Sequence, residues 1–109
     1  MKLHEAPSPN ARRVHIFMAE KGIEIERIPV DIRAGENIQT DYLAKNPAGR
    51  VPLLELDDGT YLAESVAICR YLEGLHPEPN LLGQNPLEAA TIEMWGRRAE
   101  MNFMQNVAG

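Results

Sequence analysis

The sequence predicts an α/β domain followed by the first helix of an all-α domain. Short apolar runs alternate with helical periodicities over residues 1–75, and proline and turn residues crowd 76–86. One long amphipathic pattern then fills 87–109. With 44% hydrophobic and 25% charged residues, the chain of 109 residues has an ordinary globular composition. We therefore predict a domain over 1–75, a linker over 76–86 and the first helix of a helical domain over 87–109.

The predicted domain opens with a strand and a helix. Residues 2–4 are assigned to a short first strand. Ser8 followed by Pro9 is a strong helix start, because serine is a preferred N-cap and proline is well tolerated at the first helical position. Apolar residues recur at helical spacing from there to Gly22, which is a typical helix stop.

The next two elements are a strand and a weaker helix. Residues 24–32 are rich in β-branched side chains and predict a strand, in which Pro29 indicates a sheet edge or an irregularity. Residues 33–46 are polar and predict a marginal second helix from apolar side chains at short helical spacing. These side chains are Ile38, Tyr42 and Leu43.

The domain ends with a hairpin and a helix. Turn formers fill 46–52 ahead of an apolar strand over 53–56, and the Asp-Asp-Gly of 57–59 joins that strand to another over 60–62. Apolar residues lie nearly all round the helix of 64–75, which predicts deep burial. A strand–helix–strand crossover followed by a hairpin and a helix gives a small mixed sheet with helices on both faces, as in thioredoxin-like domains.

The last helix has apolar residues along two sides, and each side needs a partner. The two stripes are Leu87, Ala90, Met94 and Met101 on one side, and Ile92, Trp95, Ala99 and Phe103 on the other. One stripe can pack on the preceding domain. We expect the remainder of a helical domain or another chain to cover the second stripe; fraying of the last turn is the simpler alternative.

Composition and charge argue against several classes of function. A formal net charge of −5 disfavours a nucleic-acid partner, and no run approaches the roughly 20 apolar residues of a membrane helix. The N-terminus lacks the apolar segment of a signal peptide, and the single cysteine, Cys69, cannot build a disulfide framework, so we expect a cytoplasmic protein. His4, His15 and His76 are scattered, and we expect no metal.

Three segments, in this order, resemble the soluble glutathione transferases, in particular the serine-type, theta-like bacterial members. They are SPNARRVHIFMAEKGI at 8–23, NPAGRVPLLELDDG at 46–59 and ESVAICRYLEGLHPEPNLLG at 64–83. The resemblance covers essentially the whole chain. It implies a glutathione-binding domain of thioredoxin-like fold, glutathione as cosubstrate, a small electrophile as second substrate and a homodimer in the full-length protein.

Ser8 is the predicted catalytic residue. Taken alone, it is equally well explained as a helix cap; the resemblance implies that its hydroxyl donates a hydrogen bond to the glutathione sulfur. Lowering a thiol pKa by two units needs about 2.7 kcal/mol of thiolate stabilisation. A hydrogen bond to a charged group supplies about 1.5–3 kcal/mol, and a helix N-terminus about 0.3–1 kcal/mol. Asn10 and Arg12 could assist, although an exposed helix face explains both equally well.

The resemblance further implies how the rest of the tripeptide binds. A cis peptide bond at Val51–Pro52 would expose the main chain of Val51, which would pair like a strand with the cysteinyl part of glutathione. An ordinary trans proline is the alternative, because few X–Pro bonds are cis. Arg50 would lie near the glycyl end, and Asn37 falls near the position where relatives carry a ligand of the glycine carboxylate.

Glu64 and Ser65 open the helix of 64–75, where a serine beside an acidic residue is common capping chemistry. The resemblance implies that Ser65 seats the γ-glutamyl carboxylate of glutathione and that Glu64 meets its ammonium group. Cys69 lies in an apolar helix without a partner cysteine, which favours a structural role.

The leading hypothesis is a glutathione transferase in which the thiolate attacks an electrophile. Because relatives draw most of the electrophile pocket from the helical domain, this chain is expected to bind glutathione weakly or to be inactive alone. Two alternatives stay open. One is a non-catalytic glutathione-fold module that binds a partner protein through its last helix, and the other is a thiol-disulfide oxidoreductase that depends on Cys69.

Overall fold

The computed structural model describes the backbone of residues 1–108 and the side chains of residues 1–98. The chain divides into two compact units, Met1–His76 and a second that begins at Pro77. In chain order the first unit contains β1 (Lys2–Glu5), α1 (Pro9–Lys21), β2 (Glu26–Pro29), a 3₁₀ turn (Glu36–Ile38), α2 (Thr40–Lys45), β3 (Leu53–Glu55), β4 (Tyr61–Ala63) and α3 (Ser65–Leu75). The second unit contains α4 (Pro86–Ala108).

The four strands form one mixed sheet in the order β2-β1-β3-β4. Strand β1 is parallel to β2 and antiparallel to β3, and β4 is antiparallel to β3. The parallel pair is joined through α1, and the antiparallel pair is the predicted hairpin. The thioredoxin-like fold predicted from the order of elements is therefore confirmed, and Pro29 lies in an edge strand, as its sequence context indicates.

Apolar side chains project from both faces of the sheet, because successive residues of a strand point in opposite directions. Leu3 and the facing Leu54 contribute to the larger core, which α1 and α3 complete. The members of that core are Leu3, Val14, Met18, Leu54, Ile68, Cys69 and Leu72. On the opposite face Leu53 packs with Val30 and Tyr42, so α2 covers that side. Helices thus lie on both faces, as predicted.

Helix α1 begins and ends at the residues that its sequence indicates. Ser8 is extended and its hydroxyl oxygen accepts a hydrogen bond from the Ala11 N–H at 3.1 Å. Gly22 takes a left-handed conformation, with φ +67°, and closes the other end through its own N–H. A side chain at Gly22 would be strained in this conformation, which explains the glycine.

A buried ion pair joins the end of α1 to the end of α3. The ammonium group of Lys21 contacts the carboxylate of Glu73 and donates a hydrogen bond to the carbonyl of His76 at 2.6 Å. The side chain of Lys21 is fully buried. Since an isolated buried charge is strongly unfavourable, these partners account for a lysine at this position.

Two elements differ from their sequence predictions between residues 24 and 46. The strand predicted over 24–32 is reduced to β2, because β1 offers only four residues for pairing. Just after β2, the Val30 N–H donates a hydrogen bond to the carbonyl of Glu5, the last residue of β1. The helix predicted over 33–46 is a 3₁₀ turn followed by α2, separated by the extended residue Gln39. Ile38 consequently remains 67% exposed instead of joining an apolar helix face.

Helix α3 is buried on one side only. The prediction of deep burial all round it is wrong for Val66, which is 41% exposed, and for Leu75, which is 46% exposed. Ile68, Cys69 and Leu72 are buried, because they face the sheet and α1.

The second unit contains the predicted last helix as α4. Asn85 precedes it and accepts a hydrogen bond from the Glu88 N–H at 2.9 Å, which caps the first turn. Ala99, Met101 and Phe103 of the predicted stripes lie outside the residues whose side chains are described, and Gly109 lies outside the described backbone. Among the described residues, no helix is both long enough and apolar enough to span a membrane.

Candidate functional site

One cleft of the first unit brings together most of the predicted site residues. It lies between the start of α1, the loop that leads into β3 and the junction of β4 with α3. Its lining residues are Asn10, Asn46, Ala48, Arg50, Val51, Pro52, Ala63, Glu64 and Ser65. Ser8, Arg12 and Asn37 are absent from this lining.

Ser8 stands two residues before Asn10, at the α1 side of the cleft. Both of its oxygens accept hydrogen bonds within the helix start: the hydroxyl from the Ala11 N–H at 3.1 Å and the carbonyl from the Arg12 N–H at 3.0 Å. Neither bond uses the hydroxyl proton. Ser8 is therefore a helix cap that keeps its own O–H donor, and its predicted contact with a sulfur stays a prediction.

The start of α3 is built differently. Glu64 precedes the helix with φ 74° and ψ 121°, and it is the one non-glycine residue with positive φ in the part of the chain that the structure describes. No side chain among the described residues caps this helix end. The first N–H groups of a helix have no acceptor inside the helix and give its N-terminus a partial positive charge. At α3 this positive end lies at Ser65, which lines the cleft.

Ser65 is 5% exposed, and its hydroxyl oxygen accepts a hydrogen bond from Nη1 of Arg13 at 3.2 Å. A guanidinium group therefore reinforces the positive end of α3. The predicted assistant Arg12 is exposed instead and does not line the cleft. Helical spacing distinguishes the two arginines, since Arg13 lies three residues after Asn10 and shares its face of α1.

The loop of residues 49–52 supplies the opposite wall. The Val51–Pro52 peptide bond is cis, as the resemblance implies. Gly49 has φ +65°, and a Cβ there would lie 3.1 Å from the carbonyl oxygen of Asn37, so both conformation and space favour glycine. The Asn37 side chain donates to the Gly49 carbonyl at 2.8 Å. Asn37 thus holds the loop by this hydrogen bond without lining the cleft. Its predicted contact with a ligand carboxylate stays a prediction.

Two residues outside the site predicted from the sequence hold the same loop. The hydroxyl of Tyr42 and the side-chain amide of Asn46 both donate to the carbonyl of Arg50, the amide at 2.9 Å. Tyr42 and Asn46 are buried, whereas Arg50 is exposed. Burial raises the pKa of Tyr42 and the hydrogen bond with Asn46 opposes that shift, so the phenol stays a neutral donor at ordinary pH.

Cys69 belongs to the larger core and does not line the cleft. It is 5% exposed within the larger core, and burial raises the pKa of its thiol to about 11, against the opposing effect of the Arg13 charge. A protonated, inaccessible thiol is a poor nucleophile. Within the described residues, no group of three or more His, Cys, Asp or Glu side chains is placed to hold a metal ion.

Comparison with known families and sequences gives a consistent result. The family described as glutathione S-transferase, N-terminal domain, matches residues 7–75. Glutathione S-transferase 2 of Saccharomyces cerevisiae is 39% identical over 111 aligned residues, covering 99% of this chain and 48% of the relative. Maleylacetoacetate isomerase of Pseudomonas aeruginosa is 45% identical, covering 76% of this chain and 40% of the relative. The chain thus spans about half the length of these relatives, or less.

Solved structures agree with this result. A glutathione S-transferase domain-containing protein of Marinobacter aquaeolei is similar with a TM-score of 0.88 and 47% identity, over 92% of this chain and 50% of that one. A glutathione transferase homologue from Sulfitobacter, solved with bound glutathione, is similar with a TM-score of 0.79 and 32% identity, over 95% of this chain and 48% of that one.

Proposed function

The chain belongs to the glutathione S-transferase family through its N-terminal domain, and on that premise we propose that its cleft binds glutathione for transfer to a small electrophile. We further propose that it is of the serine type, theta-like, with Ser8 as the thiolate-stabilising residue. One observation carries the proposal: the cleft joins the loop of Val51 and Pro52 to the uncapped start of α3 at Glu64 and Ser65.

The γ-glutamyl end of glutathione fits the chemistry of the α3 start. Its carboxylate would accept hydrogen bonds from the free N–H groups of the first turn and from the hydroxyl of Ser65. That hydroxyl has its proton available, because the bond with Arg13 uses its oxygen. The carboxylate of Glu64, exposed at the same helix end, would pair with the ammonium group of the ligand.

The middle and glycyl parts of the ligand would follow the opposite wall. The main chain of Val51 would pair with the cysteinyl residue as a strand does, and Arg50 would contribute positive charge near the glycine carboxylate. Asn37 would act at this end through Gly49, whose carbonyl it holds. The tripeptide would thus extend from the start of α3 along the loop of residues 49–52.

The sulfur would then lie toward α1, where Ser8 donates its hydroxyl proton in a hydrogen bond. The hydroxyl does not remove the thiol proton; it stabilises the thiolate after ionisation. A bond of about 1.5–3 kcal/mol to a charged acceptor accounts for roughly one to two units of thiol pKa. Asn10, which lines the cleft beside Ser8, and Arg12 complete the proposed group of α1 residues.

The whole protein is proposed as a homodimer in a reducing, cytoplasmic setting. Residues 1–75 form its glutathione-binding domain, 76–86 the linker and 87–109 the first helix of a helical domain that supplies most of the electrophile pocket. The lengths of the relatives support a further domain in the whole protein, since each is about twice as long as this chain.

Titration with glutathione tests the binding step. We expect backbone amide resonances of residues 51, 65 and 66 to shift with added glutathione and to be unaffected by glycylglycine at the same concentration. Equal shifts with both peptides would contradict a specific site. Conjugation is tested on the protein extended through its helical domain, with a chromogenic aryl halide; binding without conjugation would favour the non-catalytic module.

A glutathione-dependent isomerisation is a second candidate reaction, since the relative from Pseudomonas aeruginosa is named an isomerase. The products separate the two: transfer consumes glutathione and leaves it attached to the product, whereas isomerisation returns it unchanged. An oxidoreductase that uses Cys69 is disfavoured by the burial of that thiol and its raised pKa.

A further inference from the structure

We propose that Tyr42 is a positioning residue for the peptide ligand: together with Asn46 it holds the Arg50 carbonyl and thereby aims the Val51 N–H at the ligand. This inference rests on the proposed function, because the ligand is the glutathione of that proposal. It concerns two buried side chains of α2 and its C-terminal turn, neither of which needs to touch the ligand.

Two side chains donate hydrogen bonds to the Arg50 carbonyl. An amide oxygen has two lone pairs, and here Tyr42 and Asn46 each donate to it. The preceding carbonyl, that of Gly49, accepts from the Asn37 side chain at 2.8 Å. Consecutive carbonyls are therefore directed by side chains into the protein, although Arg50 itself is exposed. A loop fastened in this way has its peptide planes fixed.

Fixing this carbonyl also fixes the next N–H group. The Arg50–Val51 peptide is trans, so its C=O and N–H lie in one plane and point in opposite directions. With the carbonyl directed at Tyr42 and Asn46, the Val51 N–H points away from both. Val51 lines the cleft, and its N–H has no acceptor among the described residues. A half-buried donor without a protein acceptor is suited to a ligand carbonyl.

Burial makes the arrangement rigid. Tyr42 packs with Val30 and Leu53 under the sheet, and Val51 packs against the same cluster. The Asn46 backbone N–H bonds to the Tyr42 carbonyl at 2.9 Å, so the two donors belong to one turn. Preorganised donors of this kind improve affinity, because the loop does not have to be ordered when the ligand binds.

The test removes one hydroxyl. Tyr42→Phe keeps the ring in its core. Tyr71→Phe is the matched control, since Tyr71 is partly buried in the other core and its hydroxyl makes no hydrogen bond with the described residues. We expect Tyr42→Phe to weaken glutathione binding by about 3- to 10-fold, because a loop with one donor fewer on its carbonyl must be ordered when the ligand binds. The pKa of the bound thiol should stay unchanged, and Tyr71→Phe should bind as the parent does.

A second readout separates positioning from general destabilisation. The Val51 amide resonance should move in Tyr42→Phe without ligand, and its glutathione-induced shift should shrink relative to that of Ser65. Parental affinity in Tyr42→Phe, or an equal loss in Tyr71→Phe, would overturn the positioning role and leave the proposed function standing. If the parent chain itself gives no glutathione-dependent shift, the proposed function fails and this inference fails with it.

Discussion

Helices α1 and α3 both start near the cleft with a serine, yet the protein closes only one of the two helix ends. At α1 the hydroxyl oxygen of Ser8 accepts from the Ala11 N–H. At α3 no described side chain caps the helix, and the hydroxyl oxygen of Ser65 accepts from Arg13 instead. One residue type therefore serves as a cap in the first case and as part of a positively charged end in the second.

The difference indicates what each end can bind. The closed end of α1 offers a single hydroxyl proton, which suits one acceptor atom such as a sulfur. The open end of α3 offers several N–H groups and a nearby guanidinium, which suit a carboxylate with two oxygens. Partner groups, more than the serine itself, thus determine the chemistry of each end.

The largest expected effect concerns the ion pair that joins α1 to α3 near their C-terminal ends, opposite the cleft. Lys21 of α1 and Glu73 of α3 form a buried ion pair, and Lys21→Met would remove the ammonium group from it. We expect the free energy of unfolding to fall by about 3 kcal/mol in urea denaturation. The double variant Lys21→Met/Glu73→Leu should recover most of that loss. A single variant as stable as the parent would show that the ion pair contributes little.

The next effect is on the closed end. Ser8→Gly removes the hydroxyl but costs the helix cap only a few tenths of a kcal/mol, whereas Ser8→Ala costs about 1 kcal/mol. Both should raise the pKa of the bound glutathione thiol by about one to two units, read from the ultraviolet absorbance of the thiolate. Binding of S-methylglutathione, which has no thiol to ionise, should change little. A thiol pKa unaltered in both variants would remove Ser8 from the proposed chemistry.

The open end should show the converse pattern. Ser65→Ala is expected to weaken glutathione binding by about 10-fold, because the carboxylate loses one charge-assisted hydrogen bond. Cysteinylglycine, which lacks the γ-glutamyl group, should bind the variant and the parent equally well. The pKa of the bound thiol should not move. A similar loss for both peptides would place the effect of Ser65 on the fold and not on the γ-glutamyl carboxylate.

The sequence predicted those features that depend on neighbouring residues along the chain. The cap at Ser8, the stop at Gly22 and the hairpin follow from local chemistry, and all three occur in the structure. The order of elements was sufficient for the fold. The extent of β2 was not predictable in this way, since it depends on the length of β1, the strand beside it in the described sheet.

The site, too, was predictable where its residues are neighbours along the chain. The cleft includes Arg50, Glu64 and Ser65, which belong to compact motifs. The contacts that support these residues were not predicted, because each one joins two distant elements: Arg13 reaches Ser65 from α1, and Tyr42 reaches Arg50 from α2. Helical spacing from Asn10 could have selected Arg13 over Arg12. For Tyr42, an apolar helix position gives no local sign of a bond to a loop eight residues away.

The smallest effect tests why the open end begins with a glutamate. A non-glycine residue at φ 74° and ψ 121° costs about 1–3 kcal/mol in backbone strain, and glycine would relieve it at an entropic cost of about 0.5–1 kcal/mol. We therefore expect Glu64→Gly to raise the free energy of unfolding by about 1 kcal/mol and to weaken glutathione binding. Glu64→Gln, which keeps the strain and removes the charge, should weaken binding to a similar degree with parental stability. If Glu64→Gly binds as tightly as the parent, the strained glutamate has no role at the ligand's ammonium group.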